Sequence, residues 1–114
     1  MTPTSELRLK LRKLLNEAIP EGGTESDTQF LDIDLDELIE GARNIYTAAA
    51  AGWTIKAGML EGHIEGYSVG QEKYDMTSLK DQLFFALSMA EKYTAMAKAG
   101  GGSVIVGIAK PGVL

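Results

Sequence analysis

The chain has no cysteine, a single histidine and three prolines in 114 residues. Without thiols there is no disulfide scaffold, no thiolate zinc site and no cysteine nucleophile, and the composition fits a reducing compartment. With His63 as the lone imidazole, a nitrogen-rich metal site is excluded too. Apolar runs fall well short of the ~18 residues that a membrane span requires, and the opening residues lack the basic-then-apolar order of a secretory signal. These absences predict a soluble protein made inside the cell, without membrane contact. A basic surplus is also missing, since 11 basic residues face 16 acidic ones for a net charge of −5. Tight sequence-reading of nucleic acid needs a net basic footprint to displace counterions from phosphate, so that class is disfavoured. A protein that borders DNA without gripping it is still compatible.

What is present suits one ordinary domain, with 45% hydrophobic and 24% charged residues. A chain of this length buries roughly two-thirds of the surface its unfolded form exposes, enough for a core without crosslink or metal. The charge is unevenly placed. Residues 1–16 sum to +3, residues 17–40 contain nine acids and no base, and the remainder sums to +1.

Ser5 opens an amphipathic segment with Leu7, Leu11, Leu14, Leu15 and Ala18 at helical spacing, ended by Pro20, Gly22 and Gly23. Its basic residues fall between the leucines. The first reading is a core-facing stripe with a solvated charged face, and the second a basic helix for a membrane surface or DNA phosphates. From Pro20 to Asp34 the chain is rich in Gly, Thr, Ser and Asp, which compete with helix through local hydrogen bonds and mark a loop. Thr24 or Ser26 is placed to cap a short turn, and Asp34 or Asp36 to cap the next helix, so capping accounts for most of the acid block. Asp32, Asp34 and Asp36 alternate like the first ligands of a calcium loop. The pattern then fails at Glu37, where glycine is needed, and at Arg43, where a bidentate glutamate belongs.

The strongest helical periodicity runs from Asp34 to about Leu60, through Leu35, Leu38, Ala42, Ile45, Ala49, Trp53, Ala57 and Leu60, and predicts one long central helix. The small residues Ala48 to Ala51 would let another helix approach closely. Tyr46 and Trp53 are either core residues or anchors at a subunit contact. From Gly62 to Asp75 glycines interrupt the pattern, which reads as a loop with at most a short extended piece. His63 falls here without a neighbouring Ser or Cys in a nucleophile motif, and the glycine spacing lacks the strand and G-x-G start of a dinucleotide fingerprint. Thr77 or Ser78 starts a last long helix with Leu79, Leu83, Ala86, Leu87, Ala90, Tyr93 and Ala97 on its apolar side, stopping at Gly100 to Gly102. Phe84, Phe85 and Met89 widen that side and suggest contact in two directions. Beyond lies Ser103 to Leu114, whose Val104, Ile105, Val106 and Ile108 read as a strand with no partner in a helical protein. This is either a loose tail or an arm that adds a strand to another subunit or protein.

The expected fold class is therefore mainly α: a helical bundle over residues 1–100 with long central and C-terminal helices, followed by an extended arm over 101–114. No catalytic, metal or cofactor site is expected, because no nucleophile, metal cluster or phosphate loop survives inspection.

The run Ala48-Ala49-Ala50-Ala51-Gly52-Trp53-Thr54-Ile55-Lys56-Ala57-Gly58, then Tyr67-Ser68-Val69-Gly70, Thr77-Ser78-Leu79-Lys80-Asp81 and Met89-Ala90-Glu91-Lys92-Tyr93, resembles small tailed-phage and prophage head-tail connector (adaptor) proteins. The opening Leu7-Arg8 to Leu14-Leu15-Asn16 segment and the acidic loop fit as well, so the resemblance covers most of the first hundred residues. Its motifs are compositional rather than catalytic. It implies a virion protein, assembled in the bacterial host cytoplasm, that forms a ring, commonly of twelve subunits, beneath the portal of the capsid. Double-stranded DNA would cross the ring without sequence specificity, and a tail or stopper protein would attach below. Three physical features agree: small and aromatic helix positions suit side-by-side packing of copies, a strand without a partner suits docking, and acidity suits a channel through which DNA must slide. On this reading Val104, Ile105, Val106 and Ile108 contact portal or a neighbouring subunit, and Tyr46, Trp53, Phe84 and Phe85 pack between subunits. The alternative is a helical interaction module or DNA-packaging accessory, binding through the Trp53 face, without a ring.

Overall fold

The computed structural model describes the backbone of residues 1–69 and 76–102 and the side chains of 1–66 and 78–99. Among these the protein is mainly helical, as the periodicities require, with four α-helices and one short 3-10 turn: α1 (Ser5–Leu14), the turn (Glu25–Asp27), α2 (Asp32–Glu40), α3 (Ile45–Val69) and α4 (Met76–Gly102). The arm, with Val104, Ile105, Val106 and Ile108, lies outside the described residues.

Helix α1 begins at Ser5, capped by Thr4, whose hydroxyl accepts a hydrogen bond from the Leu7 amide at 3.1 Å. It ends earlier than Pro20 implies. Asn16 adopts a left-handed φ of 58°, the Asn16 amide donates to the Lys13 carbonyl and the Glu17 amide to the Arg12 carbonyl. That pair of bonds is a Schellman motif with asparagine at the left-handed position, which asparagine tolerates better than most residues.

The predicted central helix is in fact two. Helix α2 stops at Gly41, and Asn44 starts α3 by accepting from the Thr47 amide through Oδ1 at 2.9 Å. Asp34 does cap, although from within the first turn of α2, where its carboxylate accepts from the Leu31 amide at 2.9 Å. The step from Ala42 to Ile45 keeps helical spacing across the break, so the apolar pattern alone conceals it. The opposite correction applies to residues 62–69, which are helical and not a loop. A glycine costs a helix only about 1 kcal/mol relative to alanine. Here Gly62 and Gly66 face open space, while Leu60 packs against the core and the half-buried Ile64 keeps the apolar stripe going. Helix α4 likewise runs through the glycine triplet to Gly102.

Helix α3 is the spine. Its 25 residues extend about 37 Å at the standard rise. Helix α4 returns antiparallel along it: Tyr46 stacks on Tyr93 with centroids 6.1 Å apart, Trp53 meets Phe85 edge-on at 5.4 Å, and Leu60 lies near Ser78 and Asp81. On α4 the inward positions are Leu79, Leu83, Ala86, Ala90, Tyr93 and Ala97, in alternating steps of four and three, the seam of an antiparallel pair. Helices α1 and α2 cover the first half of α3 on its other side. Leu11, Leu15, Leu35, Ile39, Ala48 and Ala49 are completely buried there, each large side chain contributing about 1.5–3 kcal/mol. Gly52 sets how closely α1 approaches, since a Cβ at this position would sit 2.6 Å from Leu15 Cδ2.

Candidate interaction surfaces

Two kinds of region are left once the core is assigned: buried polar clusters that hold the bundle, and apolar surfaces that the bundle does not cover.

The first polar cluster centres on Arg12. The sequence places it on a solvated face, yet it is 2% exposed. Its guanidinium donates to the Glu17 carbonyl, Thr28 Oγ1, the Phe30 carbonyl and Asp32 Oδ1, at 2.9 to 3.1 Å. Arg8 also turns inward and pairs with Asp36 through two hydrogen bonds at 3.0 and 3.2 Å, which hold the Arg8 guanidinium above its ordinary pKa. The solvated-face reading therefore holds for Lys10 and Lys13 but not for the two arginines. A planar fork with five donors can satisfy several carbonyls of one loop at once, which a lysine cannot. The polar stretch after α1 is thereby wrapped around a cation.

The second cluster closes the end of α1. Trp53 Nε1 donates to the Leu14 carbonyl at 2.9 Å, and Lys56 Nζ donates to the Leu15 carbonyl at 2.7 Å. These carbonyls belong to the helix end that lacks partners of its own and carries partial negative charge, so an ammonium there is favourable. Lys56 also pairs with Glu17 at 2.7 Å and lies 4.5 Å from the centroid of the Trp53 ring. Glu17 accepts in addition from the Gln29 amide at 2.8 Å.

These contacts revise the account of the acid block. Capping explains Asp34 and Asp27, whose carboxylate accepts from the Thr24 amide. Ion pairing explains Glu17, Asp32 and Asp36. The three aspartates of the calcium-like run each have a protein partner. Glu37 and Glu40 are exposed on α2 without an ion pair among the described residues.

Of the four side chains expected at subunit contacts, Trp53 lies in the chain's own core at 3% exposure and Tyr46 is half-buried against Tyr93. Phe84 and Phe85 are 70% and 51% exposed, and Leu87 beside them is 46% exposed. Among the described residues helix α4 packs almost wholly against α3, which leaves Phe84 and Leu87 uncovered. A second apolar surface escaped the sequence reading. Between α2 and α3 runs an open groove of about 280 Å3 with Phe30, Leu38, Ile55 and Met59 in it and Asp34, Glu37 and Gln29 at its rim. Its signal in the sequence is the 55/59 pair, one turn apart and off the main stripe of α3, which only the placement of α2 turns into a groove wall.

His63 is exposed on α3. Among the described residues no group of three or more His, Asp or Glu side chains is arranged to hold a metal ion, and no helix is long and apolar enough to cross a membrane. The chain matches no protein-family model, no curated protein and no solved structure.

Proposed function

We propose that this chain is a structural subunit of a phage or phage-like particle: a head-tail connector that assembles as a ring beneath the portal, passes double-stranded DNA without reading it, and receives the tail or a stopper protein. The resemblance of residues 48–58, 67–70, 77–81 and 89–93 supplies the family. The observation that carries the physical side is the uncovered ridge of α4. Monomeric proteins rarely leave large apolar side chains clustered in the open, and such clusters mark association sites. Phe84 and Leu87, one turn apart, with Phe85 half-exposed beside them, form one on a helix that among the described residues packs on one side only. In this reading the chain performs no chemistry of its own, and its acidic balance keeps DNA from adhering. The indole of Trp53, enclosed by α1 and α4, is not an exposed contact for either this reading or the interaction-module alternative.

The test is direct imaging. Purified protein mixed with the portal of the same particle should decorate the portal as a ring visible in negative stain. A chain that stays monomeric and never co-migrates with portal would remove the proposal.

A further inference from the structure

The ridge and the groove occupy different faces of the same molecule, and they are complementary. On α4, Lys80, Phe84, Leu87, Glu91 and Lys98 fall along one exposed stripe at steps of three, four and seven. Its most protruding apolar group is Phe84, with Leu87 one turn away and the Lys80 ammonium one turn before. The groove offers the converse: an apolar trough of Phe30, Leu38, Ile55 and Met59, open to solvent, with carboxylates at its edge and no base among its lining residues. Ile33, one helical turn before Glu37 on α2, is 64% exposed.

We propose that the α4 ridge of one copy docks in the α2/α3 groove of the next, with Phe84 in the trough and Lys80 beside Glu37. This rests on the assembly reading above and adds which two faces meet. The occupant is a second copy because each half of the contact supplies what the other lacks: aromatic knob against apolar trough, cation against carboxylate. Since the two faces differ, the contact is heterologous. Each bound copy leaves one free ridge and one free groove, the arrangement that closes into rings when the rotation per step allows.

Sedimentation velocity on the full chain, over a concentration series to millimolar at low ionic strength, tests this. Wild type should associate in a concentration-dependent way. Phe84→Glu and Ile55→Glu each replace a solvent-facing side chain, so both should keep the wild-type circular dichroism, yet each alone should weaken association about thirtyfold or more. Mixed in equal amounts they should form a discrete one-to-one dimer that grows no further, because only one intact ridge and one intact groove are available to each other. Lys80→Glu and Glu37→Lys should each weaken association about threefold, and the chain carrying both should recover. The inference is overturned if wild type stays monomeric throughout, if assembly ignores both glutamate substitutions, or if the mixture remains monomeric. Assembly that ignores the substitutions removes this contact and leaves the ring beneath the portal standing. The mixed dimer, formed by a protein that never decorates portal, retains the contact and removes the connector reading.

Discussion

Helices α1 and α4 both lie along α3, but they are held by different means. At α1 the contact is enforced by polar groups with fixed geometry, the Glu17–Lys56 pair and the Trp53 and Lys56 donors on the last carbonyls of α1, while the Arg12 fork ties α1 to the loop and the start of α2. At α4 the contact is a seam of aliphatic and aromatic side chains, tied among the described residues by the Asn44 amide donating to the Ala97 carbonyl at 3.3 Å. The first kind specifies one arrangement, because displaced buried polar groups lose partners they cannot replace. The second supplies stability and leaves the opposite face of the helix free. Through Arg12 the polar-locked α1 also holds Phe30 and Asp32, and so places the loop and α2 residues that wall the groove, while α4 carries the ridge.

The contrast is broken most severely at Arg12. Arg12→Ala removes a donor from the Glu17 and Phe30 carbonyls, from Thr28 and from the partly exposed Asp32, and should cost about 2–4 kcal/mol. That is a large share of the 5–15 kcal/mol typical of a domain, and urea unfolding monitored by circular dichroism reads it. An unchanged unfolding midpoint would show that the fork does not hold the loop. Next is Gly52→Ala, which drives a methyl group into the fully buried Leu15. The expected loss is about 1–3 kcal/mol, as for overpacking elsewhere, seen as a lowered Tm, and in a Leu15→Ala background, already destabilised but with room for the methyl, the same substitution should cost less. The smallest effect on stability belongs to Phe84→Ser. At 70% exposure the change should stay within about 0.5 kcal/mol, while association falls. A large drop in Tm there would mean that the ridge belongs to the chain's own core.

The helical class, the start of α1 at Ser5, the turn capped at Thr24, the capping by Asp34 and the inward stripe of α4 were all legible in the sequence, because each follows from local periodicity or from a side chain bonding its own neighbourhood; α4 starts at Met76, just ahead of the expected Thr77 or Ser78. Other features were not legible. The break at Gly41 to Asn44 hid behind apolar spacing that ran across it, and only the capping role of Asn44 marks it. The helical continuation past Gly62 was hidden by the glycines, although each costs only about 1 kcal/mol and Leu60 and Ile64 carry the apolar stripe across them. Arg12 looks like any other base between leucines until the loop after α1 folds back over it. Of the surfaces, the exposed aromatics were visible as an apolar face too wide for one neighbour. The groove was invisible, since its residues come from the loop, α2 and α3, and none stands out in its own segment.

The way Trp53 is seated has a practical use. As the sole indole in the chain, touching the end of α1 through its nitrogen and Phe85 of α4 through its ring, it acts as an intrinsic optical gauge. Its emission should lie to the blue while three helices enclose it and shift to the red when any one of them lifts away, so that loosening of the subunit can be followed by fluorescence without attaching a dye.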